Sequence, residues 1–220
     1  MNMEETKDQS WPEDKTSLDN QAGTGETPVG HEAIRQEVES YYQKVSTGEI
    51  IMPVSGDTLY QSLGYDQSLL DQLPEEIRLG LSCGNPLEHL FLEAGETLLD
   101  LGCGTGIDVF LTRLKFPEAG TIYGMDIQPE MIKKAERVRD KKQFKNIEFH
   151  QGILTDMPFA DGSIGKIISN CVINLEPDKQ KVYDEIYRVL KPGGMFFISD
   201  ITLKRELSEE IKAIPDLHGS

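Results

Sequence analysis

Short apolar runs alternate with helical stretches through the second half of this 220-residue chain. From Glu96 onward the runs are TLLDLG, TIYGMD, IEFHQG, IGKIISN and GMFFISD, and the segments between them carry apolar residues at helical spacing. Each run has the length of a buried strand, and strands that are joined through helices lie parallel in one sheet. The sequence therefore predicts an α/β fold over residues 96–220, with a mostly parallel sheet and helices on both of its faces.

The sequence indicates where two of the helices between the strands begin or end. Pro129 is suited to the first turn of a helix, and the residues after it place one apolar face toward the sheet: Met131, Ile132, Ala135 and Val138. A second helix is predicted from Asp178 to Leu190. It must stop at the Lys-Pro-Gly-Gly sequence that follows, because proline and glycine do not continue a helix.

The amino-terminal part of the chain divides into a tail and a lid. Residues 1–30 hold seven acidic residues against two lysines, which predicts a disordered acidic tail. Within residues 31–95 an amphipathic lid or packing helix is expected first, on the apolar stripe of Ile34, Val38, Tyr41, Tyr42 and Val45. Ser46 to Asp66 reads as a loop, and short helical pieces are expected after it. Residues 96–220 then form the ligand-binding core.

Charge and composition narrow the function. The formal net charge of −16 argues against a nucleic-acid substrate and favours a small molecule. No apolar stretch approaches the ~20 residues of a membrane span, so a cytoplasmic protein with no membrane partner is expected. Three cysteines are too few for a disulfide framework, which favours reduced thiols. The four histidines show no ligand spacing, so no metal site is expected.

The sequence DLGCGTG joins the first predicted strand to a helix. Its glycines, Gly102, Gly104 and Gly106, allow the backbone to approach a ligand closely. A dinucleotide fingerprint would need glycine or alanine where Ile107 stands, which argues against NAD. Two acids flank the loop at useful places. Asp100 precedes it, and Asp126 ends the second strand, where a carboxylate can accept ribose hydroxyls. Carboxylates suit S-adenosylmethionine (SAM), which carries an ammonium and a sulfonium and no phosphate.

The stretch from DLGCGTG to PGG resembles the class I SAM-dependent methyltransferases, which have a Rossmann-like fold. The sequences SNCVINLEPDK, YRVLKPGG and SCGNP narrow this likeness to the arsenite methyltransferase family, over residues 34–220. The resemblance implies a cofactor site for SAM. Its candidate residues are Asp100, Gly102, Cys103, Gly104, Gly106, Asp126, Ile127, Ile153, Leu154 and Asn170. Cys103 is interpreted as loop packing. Ile153 replaces an acid that often contacts adenine, so backbone groups and Leu154 are expected to hold that ring.

The family likeness also implies a chemistry, which is methylation of thiol-bound trivalent arsenic as part of arsenic detoxification. Arsenic(III) is soft and thiophilic, so cysteine thiolates should hold it. Cys171, after the fourth strand, is the first candidate ligand, and Cys83 is the second. These two are the expected catalytic residues. Glutathione or another thiol is the expected reductant, and no general base is required.

The chain departs from the family pattern in ways that leave alternatives open. It ends at Ser220, just before the place of a further arsenic-binding cysteine, and has no cysteine between Ser46 and Leu81. The last strands of the class I fold are also expected to be missing, which would leave GMFFISDITL as an unpaired edge. Methylation of another small metabolite therefore stays possible on this reasoning, as does a catalytically impaired module that binds SAM or an arsenical.

Overall fold

The computed structural model describes residues 28–202, with side chains from residue 30. Six helices are described: α1 (Pro28–Thr47), α2 (Gly56–Ser62), α3 (Gln67–Leu70), α4 (Ile107–Lys115), α5 (Pro129–Lys142) and α6 (Lys179–Val189). The strands are β1 (Leu98–Leu101), β2 (Ile122–Asp126), β3 (Ile147–Gln151), β4 (Ile164–Asn170) and β5 (Leu190–Ser199). Short 3₁₀ turns occur at Glu75–Ile77 and Ile173–Leu175.

The five described strands form one parallel sheet in the order β3-β2-β1-β4-β5. In the central strand β1, Leu98 lies opposite Ile122 on one side and Lys166 on the other. All residues of β1 are buried, which explains why its sequence is continuously apolar apart from Asp100. The predicted α/β fold, with a parallel sheet, is confirmed.

Helices cover both faces of this sheet, as predicted. One core contains Phe110 of α4 and Ala135 of α5, packed against strand residues such as Ile122. The other contains Val182 and Ile186 of α6, packed against the opposite side of β1 and β4. Alternate strand residues therefore enter different cores, because successive side chains of a strand point to opposite faces.

The structure corrects two local predictions. The helix predicted from Asp178 to Leu190 is α6, and the Asp178 carboxylate caps it by accepting a hydrogen bond from Lys181 N at 3.1 Å. Leu190 is not helical, however. It begins β5, which continues through Lys-Pro-Gly-Gly, and the register against β4 shifts between Ile164 and Lys166. A β-bulge at this register shift accommodates Lys-Pro-Gly-Gly within the strand.

The second correction concerns the segment between α1 and α3. It was expected to be a loop, but Gly56–Ser62 forms α2, whose first turn is capped by the Ser55 hydroxyl. The helix expected from the apolar stripe near residue 31 is present as α1. Residues 1–27 of the predicted acidic tail lie outside the described range, whereas residues 28–30 begin α1. The three-part domain division stays a prediction.

Helix α1 lies against the sheet domain near α5. Gln128, just before α5, donates a side-chain hydrogen bond to Glu39 O at 2.6 Å, and Lys134 donates to Ser46 O. Among the described residues no helix is long and apolar enough to cross a membrane. The described residues also contain no cluster of three or more His, Cys, Asp or Glu residues able to hold a metal ion.

Candidate cofactor and thiol site

The glycine loop connects β1 to α4 through left-handed backbone. Gly102, Gly104 and Gly106 have φ values of 67°, 51° and 85°. A Cβ atom on Gly102 would lie 2.6 Å from Val172 Cγ2, whereas one on Gly104 would meet nothing within 4 Å. The first glycine is therefore required by packing, and the second faces open space. Gly106 occupies the N-cap position of α4.

Asp126 holds this loop in place from the end of β2. Its Oδ2 accepts a hydrogen bond from Gly104 N at 2.8 Å, and its Oδ1 accepts one from Gln128 N at 2.8 Å. Burial nevertheless raises the pKa of this carboxyl. Each oxygen retains a further lone pair, so the contacts are compatible with a ligand hydroxyl as an additional partner.

Two more acids lie buried beside the loop. Burial, together with the charges of Asp108 and Asp126, raises the pKa of Asp100 well above its usual range. Burial also raises the pKa of Asp108 to about 6, and its hydrogen bond from Asn170 opposes that shift. Among the described residues no donor reaches Asp108 Oδ1. Two buried carboxylates beside the half-buried Asp126, together with the unpartnered oxygen of Asp108, fit a cationic ligand, since a positive charge would relieve their mutual repulsion.

Sequence reasoning missed Asp108. The available signal was its position, because an acid at the second residue of a helix that follows a glycine loop must lie next to whatever the loop binds. Asn174 and Ser169 also have buried polar atoms without a described partner, but neither lines the pocket.

A pocket that is open to solvent lies at the carboxyl ends of the strands. Most of the cofactor and thiol residues that were predicted from the sequence line this pocket. Those that line it are Asp100, Gly102, Cys103, Gly104, Asp126, Ile127, Ile153, Leu154, Asn170 and Cys171. Gly106 and Cys83 do not line it. Ile153 is 37% exposed, whereas Leu154 is buried, so the adenine contacts expected there remain a prediction.

The two candidate arsenic ligands meet, although 88 positions separate them in the sequence. Cys83 and Cys171 form a disulfide with their Cα atoms 5.5 Å apart. The fold thus pairs two cysteines that no local pattern pairs, and the reason is tertiary, because the turn that carries Cys83 folds over the end of β4. Cys171 has a left-handed backbone (φ 61°), an uncommon conformation for a residue with a side chain, and its N–H donates to Ser199 O at 2.8 Å.

Cys103 remains a free thiol and is buried in the glycine loop. Burial, followed by the charge of Asp126, raises its pKa well above the usual range. A thiol in this state is neutral and poorly nucleophilic. Its position agrees with the interpretation as loop packing.

An ion pair between Arg35 and Glu176 joins the lid helix α1 to the sheet domain at the pocket. Arg35 Nη2 and Nε lie 2.7 Å and 3.0 Å from Glu176 Oε1, and Nη2 also reaches the Thr155 hydroxyl at 3.4 Å. Both charged side chains line the pocket, and Glu176 is buried. No local pattern in the sequence indicates this pair, because 141 positions separate the two residues.

Comparisons with known proteins agree with this architecture. Residues 92–218 match the model of a methyltransferase domain. An arsenite methyltransferase from Halobacterium salinarum is 37% identical over 201 residues, which are 84% of this chain and 51% of that protein. The human arsenite methyltransferase is 33% identical over 199 residues, covering 84% of this chain and 52% of its own length.

A solved structure shows the same likeness. The crystal structure of CrArsM, an arsenic(III) S-adenosylmethionine methyltransferase from Chlamydomonas reinhardtii, matches with a TM-score of 0.54 and 29% identity. The match covers 77% of this chain and 57% of that one.

The parallel sheet and the acidic pocket at its carboxyl edge define a Rossmann-like, class I methyltransferase fold. The chain belongs to the methyltransferase domain family. The chain spans about half the length of the curated relatives named above, 51% and 52% respectively.

Proposed function

We propose that this chain methylates trivalent arsenic, with SAM as methyl donor and Cys83 and Cys171 as arsenic ligands. The observation that carries the proposal is the meeting of Cys83 with Cys171, which itself lines the acidic pocket. Soft thiolates are suitable ligands for arsenic(III), and the two sulfur atoms can bridge one centre because the fold already brings them together. The arsenite methyltransferase relatives support the same substrate.

The disulfide must be opened before arsenic can bind. Two molecules of a thiol such as glutathione would supply two electrons and two protons, leaving two cysteine thiols and one oxidised glutathione. Each thiol then replaces one hydroxyl of arsenite, which releases one water per As–S bond formed. Glutathione or another small thiol would provide a third sulfur ligand. A reducing compartment such as the cytoplasm suits this sequence of steps.

The residues of the pocket would bind and orient the reactants. Asp100 and Asp108 would lie against the cationic groups of the cofactor, and Asp126 would accept from its ribose hydroxyls. Ile153 and Leu154 would lie against the adenine. When bound, SAM would supply a methyl group by in-line displacement: an As–C bond would form from the arsenic lone pair as the sulfonium C–S bond breaks, with S-adenosylhomocysteine as the leaving group. The chain mainly aligns the reactants, an effect that can contribute several kcal/mol to the barrier.

Calorimetric titration tests the proposal. The purified chain is titrated with SAM, then with arsenite in the presence of glutathione, as wild type, Cys171→Ser and the matched control Cys103→Ser. We expect SAM binding in all three proteins and loss of arsenite binding in Cys171→Ser alone. Unchanged arsenite binding in Cys171→Ser would refute the assignment of this thiol.

A turnover assay with methyl-labelled SAM distinguishes the remaining outcomes. Labelled methylarsenical is expected from wild type. Arsenite binding that depends on Cys171 but gives no methylated product would indicate a binding module without activity. SAM binding without arsenite binding would indicate a methyltransferase of another small metabolite.

A further inference from the structure

The turn that carries Cys83 has little regular structure to support it. Cys83 and Gly84 lie between the 3₁₀ turn Glu75–Ile77 and β1, a stretch with no helix or strand. Gly84 packs closely against the end of β5, since a Cβ atom there would lie 2.8 Å from Ser199 Cβ. The position of the Cys83 thiol therefore depends on side chains that bind the backbone of this turn.

One side chain provides most of these contacts. Asn170, the residue before Cys171, accepts hydrogen bonds through Oδ1 from Cys83 N at 3.1 Å and Gly84 N at 3.3 Å. Its Nδ2 donates to Gly84 O at 3.0 Å. The oxygen and the nitrogen of the Asn170 amide thus both bind the turn that carries Cys83. Asn170 is also the residue directly before Cys171, the second cysteine of the pair.

These contacts require one orientation of the amide. A flipped Asn170 would place its NH₂ group against two backbone N–H donors. The acceptors near Nδ2 are Asp108 Oδ2 at 3.1 Å and the Tyr65 hydroxyl at 3.0 Å. Tyr65 in turn donates to Gly84 O at 3.1 Å. An ionised carboxylate only accepts hydrogen bonds, so Asp108 specifies which side of the amide faces it.

Asp108 also connects the turn to the cofactor loop. It is the second residue of α4, directly after Gly106, and it is only 6% exposed. We propose that Asp108 and Tyr65 are positioning residues that fix the amide of Asn170, and that this clamp sets the distance between the Cys83 and Cys171 thiols. The inference rests on the proposed function for its link to arsenic, but thiol pairing can be measured without arsenic.

The experiment measures the effective concentration of the two thiols. The reduced protein is equilibrated with reduced and oxidised glutathione, and the fraction with the Cys83–Cys171 disulfide is determined by mass spectrometry after alkylation. Asp108→Leu removes the acceptor, and Asp108→Asn retains one. The exposed acid Asp140, as Asp140→Asn, is the matched control.

We expect Asp108→Leu to lower the effective concentration at least tenfold, which corresponds to about 1.4 kcal/mol, because Asn170 loses a buried hydrogen-bond partner. Asp108→Asn should remain within threefold of wild type, since its amide oxygen can still accept from Asn170. A value within twofold of wild type in Asp108→Leu would overturn the proposal. Equal losses in the Leu and Asn variants would also overturn it.

A milder variant keeps the test decisive if Asp108→Leu fails to fold. Tyr65→Phe removes one hydroxyl and retains the ring, and the half-exposed Tyr183, as Tyr183→Phe, is its control. Tyr65→Phe should lower the effective concentration at least threefold, with no loss in Tyr183→Phe. No change in Tyr65→Phe would refute the clamp. If arsenite fails to bind wild type, the proposed function fails, while these thiol equilibria still decide the role of the clamp.

Discussion

The buried carboxyl of Asp108 should make the protein less stable as the pH rises. Its pKa is raised from 3.8 to about 6 in the folded state, chiefly by burial. Folding therefore favours the protonated form, and stability is lost as the pH rises through the folded pKa. Asp108→Asn removes the titration and keeps a hydrogen-bonding side chain of the same shape.

The size of the effect follows from the two pKa values. By linkage, the ionised Asp108 costs about 1.6 kcal/mol at pH 5.0 and about 3 kcal/mol at pH 7.5. The advantage of Asp108→Asn over wild type should therefore grow by about 1.4 kcal/mol between these pH values. Asp100 and Asp126 contribute pH dependence of the same sign, because burial raises their pKa as well. Asp108→Asn also removes the charge that helps to raise the pKa of Asp100, which increases the advantage of the variant in the same direction.

Urea unfolding at pH 5.0 and pH 7.5 measures this difference, with Asp140→Asn as an exposed control. The slope of unfolding free energy against urea concentration must be equal in all proteins for the comparison to hold. An advantage of Asp108→Asn that stays constant with pH, or that shrinks as the pH rises, would refute the reasoning. Saturating SAM should reduce the advantage, because a bound cation stabilises the carboxylate of the wild type.

Two further predictions concern the lid and the glycine loop. Glu176→Gln should weaken SAM binding about fivefold, because the loss of about 1 kcal/mol from the ion pair loosens α1 over the pocket; calorimetry checks this, and equal weakening in the exposed control Glu32→Gln would contradict it. Gly102→Ala should lower the unfolding free energy by about 3 kcal/mol, since left-handed backbone and a clash with Val172 both oppose the new methyl group. Gly104→Ala should cost only about 1 kcal/mol in stability but weaken SAM binding, because its methyl group enters the open pocket. Similar stability losses in the two alanine variants would contradict this distinction.

The sequence by itself determined the sheet and the cofactor loop. Short, largely apolar runs such as β4, bounded by turn residues, indicate strands that are buried on both faces, and the helices between them favour parallel pairing. The glycines of the loop and the acid Asp126 were recognisable because their spacing along the chain is short. Local patterns of this kind depend on backbone conformation and side-chain periodicity, which adjacent residues decide.

Only the tertiary structure decided how the site is assembled. The pairing of Cys83 with Cys171 and the amide contacts of Asn170 join segments that lie 86 to 88 positions apart. Arg35 and Glu176 are still further apart in the chain, and neither residue carries a local signal for an ion pair. Such contacts depend on which loops the sheet order brings to one edge. No local pattern marked Asp108 as a site residue. The packing of the whole domain buries it between the glycine loop and the two cysteines.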